Sequence, residues 1–229
     1  ISQTADVGQY AANPWGFFDM HGNVREWTAD WYGTYPTGNP VIDPPGAASG
    51  SLRVLRGGSW NYVGTDLRSS ERGGSHSSPY LNNFIGFRVG FQKLETQPAQ
   101  PATHSVDLNA SVNLEMIWVE PGTFTMGSPT GETGRKSNET EHNVTLTEGF
   151  YLGKYEVTQA QYEAVMTGNT NSLSATPSNW PGNPNRPVEK VSWDDVQIFL
   201  TRLNAAEQTA GRLPAGWSYV LPTESQWEY

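Results

Sequence analysis

The sequence predicts an α+β fold with few helices, little regular secondary structure and a small, irregular sheet. Two observations support this prediction. Glycine and proline account for 24 and 16 of the 229 residues and are spread along the chain, so few segments have room for a long helix. Three helix start signals stand among short apolar segments that have the length and composition of strands. Aromatic residues make up 12% of the chain, which indicates a folded protein rather than a disordered one.

Each predicted helix begins with a capping box. In this motif a Ser or Thr lies just before the helix, and the residue three positions later has a side chain that can hydrogen-bond back to it. The second box leads into an apolar stripe at helical spacing, and the third lies so close to the last residue that the helix is expected to be cut there. Gly168 is expected to end the first helix. The boxes are Thr158 with Gln161, Ser192 with Asp195, and Thr223 with Gln226.

The predicted strands are short, and a polar, proline-containing segment separates them into two groups. Residues 93–111 contain Pro98 and Pro101 among Gln, Thr and Ala, without an apolar period, and this predicts a linker. The chain then divides into residues 1–92 and residues 112–229. The predicted strands are residues 52–55, 85–91, 114–119, 123–126, 143–146 and 150–155.

Charge and composition exclude several classes of function. The formal net charge is −9, and a chain this acidic lacks the clustered Lys and Arg that nucleic acid or an anionic membrane requires. The sequence has no run of apolar residues long enough to span a bilayer. It has no Cys, so disulfides and thiolate chemistry are absent, although this does not fix the compartment. An extracytoplasmic or secreted location is favoured.

Two sets of motifs resemble one known family. Residues 14–91 contain PWGFFDMHGNVREW, RVLRGGSW, LRSSER and IGFRVGF, and they resemble the C-terminal half of the formylglycine-generating enzyme (sulfatase-modifying factor) family. Residues 114–229 contain MIWVEPGTFTMGS, FYLGKYEVTQAQY, PVEKVSW and YVLPTESQWEY, and they resemble its N-terminal half. The halves therefore stand in permuted order, and the segment that joins them in the family is missing. The chain is either part of a tandem array of modules or a circular permutant with its middle deleted.

The resemblance implies a variant of the C-type lectin fold, in which the first and last strands pair. We therefore expect residues 85–91 and 114–119 to pair antiparallel, with the linker running over the surface. Ile1 and Tyr229 are then expected to lie near each other. The two halves would form one compact domain within one chain, or they would pair with a neighbouring module or a domain-swapped copy.

The resemblance also implies that the family's oxidase activity is lost. The family oxidises a substrate cysteine with two copper-binding cysteines, and the matching positions here are Tyr62 and Leu67. Ser59 matches an active-site Ser, and Arg25 replaces a Trp that lines the substrate groove. Copper is not expected, and the scattered histidines do not support the iron chemistry of another family branch. We expect a non-catalytic binding domain; the alternative is a related sulfatase-modifying enzyme that uses non-cysteine residues in the same groove.

A calcium site is implied by the segment DMHGNVRE, which matches a calcium-binding motif of the family. The ligands would be the side chains of Asp19 and Glu26 and the carbonyls of Gly22 and Val24, because Ca²⁺ binds carboxylate and carbonyl oxygens. The alternative is a solvated acidic turn in which Asp19 caps backbone groups.

The segment 61–84 is rich in Gly, Ser, Asn, His and Tyr, a composition that suits an adaptable contact surface for a protein or glycan. The alternative is an ordinary surface loop. The aromatic residues of the family motifs, in contrast, are expected to pack in the core, and these include Trp15, Trp27, Trp118, Trp193 and Trp227. The candidate contact residues are Asn61, Tyr62, Ser75, His76, Tyr80 and Asn82.

Overall fold

The computed structural model describes residues 2–77, 80–93 and 101–229, which form an α+β structure. The helices are α1 Gln159–Met166, α2 Trp193–Thr209 and α3 Glu224–Glu228, and a short 3-10 turn spans Gly64–Asp66. The strands are β1 Arg25–Trp31, β2 Val41–Ile42, β3 Arg53–Arg56, β4 Arg72–Ser75, β5 Ile85–Phe87, β6 Gly90–Lys93, β7 Thr103–Asp107, β8 Asn113–Val119, β9 Gly122–Met126, β10 His142–Leu146, β11 Phe150–Gly153 and β12 Trp217–Val220.

The strands form three sheets rather than the one small sheet that the sequence predicts. A four-stranded sheet has the order β4-β3-β1-β5, a three-stranded sheet the order β2-β10-β9, and a five-stranded sheet the order β12-β6-β11-β8-β7. In the last two sheets, strands from before and after the 93–111 segment are hydrogen-bonded to each other. The two parts of the chain therefore build one body in common.

The predicted pairing between residues 85–91 and 114–119 is wrong, because β11 lies between β6 and β8. Leu152 of β11 is opposite Gly90 on one side and Ile117 on the other, antiparallel in both cases. All four residues of β11 are buried. An apolar strand of this kind is stable in the centre of a sheet, where both of its edges are paired.

The predicted linker is also partly wrong, because residues 103–107 form β7. This strand pairs antiparallel with β8, and Val106 is opposite Leu114. Both of these side chains are 2% exposed, so the last part of the segment adds to the core. The described residues do not include residues 94–100, which are part of the predicted linker. They also do not include Ile1, so the predicted closeness of Ile1 and Tyr229 stays a prediction.

All three predicted capping boxes are confirmed, with both reciprocal hydrogen bonds formed in each. The first helix ends at Met166, and Gly168 follows with φ of 69°, a left-handed conformation that glycine adopts without strain. The longest helix, α2, packs against α1 and β12 and places Phe199 against Phe87 and Tyr162, with ring centroids 5.1 and 5.5 Å away. These rings form the centre of the larger core cluster.

The prediction that the motif tryptophans pack in the core holds for most of them. Trp27 and Trp227 are buried, and Trp118 and Trp193 are partly buried against the core clusters. The prediction is wrong for Trp15, whose side chain is 70% exposed on a turn. No helix in the described parts of the chain is long and apolar enough to cross a membrane.

Candidate functional site

A buried ionic network joins α3 to the sheet formed by β4, β3, β1 and β5. Arg72 donates from Nε and Nη2 to the two carboxylate oxygens of Glu224, at 2.7 and 2.6 Å. Arg56 is fully buried, lies 3.8 Å from Glu224 and also donates to Glu228. The arginines come from residues 1–92 and the glutamates from the end of the chain, so these ion pairs hold the two parts of the chain together.

Asp30 adds a third carboxyl group to this network, beside those of Glu224 and Glu228. Its Oδ2 accepts the backbone N–H of Glu224 at 2.6 Å. Burial, together with the nearby charge of Glu224, raises the pKa of Asp30 to about 7. A buried carboxyl that is protonated near neutral pH makes stability depend on pH.

Glu189 is a second buried carboxyl of this kind. Its Oε1 accepts the backbone N–H groups of Asn179 and Trp180, at 2.5 and 3.3 Å, while its buried Oε2 has no hydrogen-bond partner among the described residues. Burial raises the pKa of Glu189 to about 7. The carboxyl fixes the loop around Trp180, whose ring meets the edge of Trp60 at 5.3 Å.

We predict that the free energy of unfolding falls as pH rises from about 4 to about 7. Over this range the folded state keeps protons on Asp30 and Glu189 that the unfolded chain, with carboxyl pKa values near 4, has already lost. Asp30→Asn should flatten the dependence by at most about 1.4 kcal/mol per pH unit, and adding Glu189→Gln should flatten it further. Urea unfolding at intervals from about pH 4 to about pH 7 measures this. An identical slope in the double variant would contradict the assignment.

The residues that the resemblance places at the substrate groove, Arg25 and Tyr62, form part of a packed cluster. Arg25 is 7% exposed, donates to Glu71 at 2.9 Å and to the Tyr62 hydroxyl at 3.3 Å, and lies 5.3 Å from the Tyr62 ring centre. Tyr62 meets the edge of Phe84 at 6.2 Å. Lys136 approaches the other Glu71 oxygen at 2.7 Å. The Arg25 guanidinium is therefore fixed by Tyr62 and by an ion pair with Glu71.

The remaining motif residues beside this cluster have structural contacts. Ser59 is 1% exposed and donates from Oγ to Asn61 Oδ1 at 2.7 Å. Gly58 precedes it with φ of 67°, where a Cβ would lie 2.6 Å from the Asp66 carbonyl oxygen, so the turn requires glycine. Leu67 lines a shallow depression of about 360 Å³. This arrangement provides no thiolate, and the Arg25 guanidinium is in direct hydrogen-bond contact with the Tyr62 hydroxyl.

The structure brings several of the candidate contact residues together. Asn61 and Tyr62 lie on one loop, and Tyr80 and Asn82 lie on a second loop that reaches Tyr62 through Phe84. His76 is exposed, and its Nδ1–H donates to the Ser51 carbonyl, 3.1 Å away, at the end of β4.

The exposure of the side chains removes one residue from the candidate contact surface and adds two others. Ser75 is only 7% exposed within β4, so its side chain does not belong to a contact surface. Val63 and Leu81, on the same two loops, are 65% and 51% exposed and were missed by the sequence reasoning, which selected polar and aromatic residues. Their apolar character within a polar segment is the signal that could have identified them.

The expected calcium loop adopts a strained, tightly bonded conformation. Asp19 and Asn23 have positive φ angles of 57° and 52°. Asp19 Oδ2 accepts the Gly8 N–H at 2.7 Å, and burial raises the pKa of Asp19. Glu26 accepts from Arg88 at 3.0 Å and from the Trp227 indole N–H at 2.8 Å. Within the described residues, no group of three or more His, Asp or Glu side chains is arranged to hold a metal ion.

These features define an α+β domain with mixed sheets and few helices. In it, the GGSW turn lies against the C-terminal motif TESQWEY, which supplies Glu224 and Glu228. Residues 1–92 and 103–229 match the family described as the Sulfatase-modifying factor enzyme 1-like domain. The chain belongs to this sulfatase-modifying factor family, and its architecture fits the family's C-type-lectin-like fold.

Individual relatives match parts of the chain. One stretch of 90 residues is 43% identical to the serine/threonine-protein kinase pkn1 of Chlamydia caviae and covers 38% of this chain and 14% of that protein. A stretch of 58 residues is 47% identical to the formylglycine-generating enzyme of Streptomyces coelicolor, covering 25% and 18%. A third, of 146 residues, is 40% identical to the chaperone protein LppX of Paenibacillus barcinonensis, covering 53% and 46%. The chain thus spans less than half of each of these relatives.

Two solved structures also match. Treponema denticola variable protein 1 is 39% identical, with a TM-score of 0.35, over 38% of this chain and 31% of that one. PvdO from Pseudomonas aeruginosa is 25% identical, with a TM-score of 0.40, over 50% of this chain and 46% of that one.

Proposed function

We propose that this domain is a non-catalytic binding module that recognises a protein ligand through two adjoining loops. We call this region the loop surface and define it as Tyr62, Val63, Tyr80, Leu81 and Asn82. The observation that carries the proposal is the exposure of Val63, Leu81 and Tyr80, at 65%, 51% and 39%. The two loops that carry these exposed apolar side chains contact each other through Trp60 and Asn83 and through Tyr62 and Phe84, and exposed apolar surface of this kind is typical of an interaction site.

The framework below the loop surface is rigid, which favours binding without a large ordering cost. Trp60 donates its indole N–H to the Asn83 carbonyl at 3.2 Å, and the Lys190 N–H is 3.0 Å from the Asn82 carbonyl. The Tyr62 ring rests on Phe84 and on the paired Arg25. The exposed side chains are therefore presented by anchored loops.

The composition of the loop surface favours a protein over a glycan. Sugars stack on aromatic rings, and only Tyr80 is both aromatic and well exposed among the residues of this surface. Val63 and Leu81 are aliphatic and gain most by being covered with apolar protein side chains.

The test is a binding screen of displayed peptides and of a glycan array, with a matched pair of variants. Val63→Ser combined with Leu81→Ser should lower the affinity of any selected peptide at least tenfold, since each buried aliphatic side chain contributes about 1–3 kcal/mol. Ile42→Ser is the control, because Ile42 is an aliphatic residue that is 53% exposed in strand β2, outside the loop surface. Equal losses in both variants, or selection of glycans alone, would contradict the proposal.

Loss of the oxidase activity is the second part of the proposal. It is supported by the absence of Cys from the chain and by the packing of Tyr62 against Arg25 at the position of the family's first cysteine. We expect no conversion of a cysteine-containing sulfatase peptide when copper is supplied, measured by mass spectrometry. Conversion above background that is lost in Tyr62→Phe would instead support the alternative, an enzyme that uses non-cysteine residues in this groove.

We further propose that Ca²⁺ binds the loop 19–26, through the side chains of Asp19 and Glu26 and the carbonyls of Gly22 and Val24. Oxygen donors of this kind suit Ca²⁺. The nearby carboxyl of Glu156 is fully buried, and burial, together with the charges of Glu26 and Asp19, raises its pKa; this is the direction expected where carboxyl groups lie close together, and a bound cation would offset that repulsion. Against this, Glu26 is already bonded to Arg88 and Trp227.

A chelator experiment decides the calcium proposal. If Ca²⁺ binds only the folded state at a concentration 100 times its Kd, removing it should lower stability by about 2.7 kcal/mol and lower Tm accordingly. Asp19→Asn should remove the difference between samples with Ca²⁺ and samples with chelator. An unchanged Tm after chelation of the wild-type chain would leave only the acidic-turn interpretation.

We also propose that the domain is one unit of a larger, extracytoplasmic protein, either permuted or in a tandem array. Its small share of the length of the pkn1 relative is compatible with this. Because sheets in the structure mix both parts of the chain, an isolated domain should be monomeric. A stable dimer in native mass spectrometry would favour domain swapping with a neighbouring copy.

A further inference from the structure

A cavity of about 550 Å³ lies where α3 meets β8 and the turn at residues 13–17. Five of the residues that line it are aromatic, and no residue of the loop surface lines it. The volume is within the range of sites that hold a small ligand or one inserted side chain. The aromatic residues of the wall are Trp15, Phe17, Trp118, Trp227 and Tyr229.

Trp15 is presented at the edge of this cavity by a rigid turn. Asn13 Oδ1 accepts the N–H groups of Trp15 and Phe17, at 3.1 and 3.0 Å, and the Asn13 N–H donates to the Phe17 carbonyl at 2.8 Å. Phe17 anchors the turn at 7% exposure, while Trp15 remains 70% exposed. Because the backbone that carries this exposed ring is already ordered by hydrogen bonds, Trp15 can bind a partner with little loss of backbone conformational freedom.

The charged groups that line the cavity are all acidic. They are Glu120 and Glu228, and no Lys or Arg lines it. Glu228 is bonded to Arg56 and to the Gly127 N–H, whereas Glu120 forms no ion pair within the described residues. Burial lowers the pKa of His21, a further wall residue, and so favours its neutral form. The cavity therefore disfavours anionic ligands and favours a cation that also has an apolar or aromatic-stacking face.

We propose that this cavity binds an arginine side chain of a partner protein, with the guanidinium against Trp15 and near Glu120. A guanidinium is planar and stacks on indole rings, which an ammonium group does less well. The chain already uses this arrangement internally, because the Arg53 guanidinium lies between Trp31 and Trp193, 3.5 and 3.7 Å from their ring centres. The net charge of −9 acts in the same direction by attracting basic segments.

The test uses the peptide acetyl-Gly-Arg-Gly-amide and its citrulline counterpart, which has nearly the same shape and no charge. Titrations are followed by the indole N–H resonances in ¹⁵N NMR, and Trp15→Ala assigns the Trp15 signal. The arginine peptide should shift the Trp15 signal in a saturable way. The citrulline peptide should bind roughly tenfold more weakly, since a desolvated cation–aromatic contact contributes on the order of that factor.

Matched variants separate this site from general surface attraction. Trp15→Ala and Glu120→Gln should each weaken binding of the arginine peptide severalfold, and neither should change the fold, because both residues are exposed. The controls are Tyr10→Ala, with a side chain 57% exposed outside the cavity wall, and Glu141→Gln, an exposed acid elsewhere. The proposal is overturned if arginine and citrulline peptides bind equally, if the controls weaken binding as much, or if neither peptide shifts the Trp15 signal.

Discussion

Glu224→Gln should lower the free energy of unfolding by about 3–5 kcal/mol, because it removes one partner from a buried ionic network. Arg72 is 2% exposed at its side chain and gives two short hydrogen bonds to Glu224, and Arg56 is fully buried beside it. Gln has the right size but carries no charge, and its amide N–H₂ would face a guanidinium. The variant therefore leaves a buried cation poorly compensated. Urea unfolding followed by tryptophan fluorescence measures the change.

The control for this prediction is Glu115→Gln, which removes an exposed pair. The Glu115 and Lys154 side chains are 45% and 29% exposed at a distance of 2.9 Å, and such pairs contribute at most about 1 kcal/mol. Similar losses in Glu224→Gln and Glu115→Gln would show that the buried network does not hold α3 to the four-stranded sheet. Glu224→Leu tests whether the loss of stability comes from leaving Arg56 and Arg72 without a carboxylate partner. If it does, Glu224→Leu should destabilise the fold at least as strongly as Glu224→Gln.

Phe199→Ala should lower the free energy of unfolding by about 3–5 kcal/mol, the usual cost of removing a fully buried ring. Phe199 is 0% exposed and its ring contacts Phe87 at 5.1 Å and Tyr162 at 5.5 Å. The truncated side chain would leave a cavity that the neighbouring rings cannot close without moving the backbone of β5 or α1. Chemical denaturation of the purified variant gives the value.

Phe199→Leu is the matched variant, because it keeps an apolar side chain of nearly the same volume. It should cost only about 1–2 kcal/mol. If Phe199→Ala and Phe199→Leu are equally stable, the helix α2 does not depend on this ring cluster. An additive effect of Phe199→Ala and Glu224→Gln is expected, since the two residues lie in separate clusters and share no partner.

The parts of the fold that depend on local chemistry could be predicted from the sequence. The three capping boxes are examples, because the hydroxyl of Thr158 bonds to a backbone group only three residues away. The family was also predictable, since long motifs such as the GGSW turn carry their own conformational requirements. The positive φ of Gly58 shows why that motif needs glycine.

Features that depend on distant partners could not be predicted. Thr103–Asp107 has a weak strand pattern, and it becomes a strand because β8 offers an edge and Phe91 offers a ring on which His104 stacks at 4.8 Å. Likewise, nothing near Asp30 in the sequence indicates that Glu224, at the other end of the chain, meets it and raises its pKa. The same holds for Trp15, whose exposure is decided by what packs around the turn.

The position of β6 in its sheet has a consequence for synthesis on the ribosome. Its two neighbours, β11 and β12, are translated after it, the later one by more than a hundred residues. At roughly 5–20 residues per second, β6 waits on the order of ten seconds for its second partner. During that time the unpaired edges of β6 and its apolar side chain Phe91 can form non-native contacts, including pairing with another chain. A nascent chain stalled after residue 93 should therefore recruit chaperones, and adding residues 101–229 as a separate chain should release them.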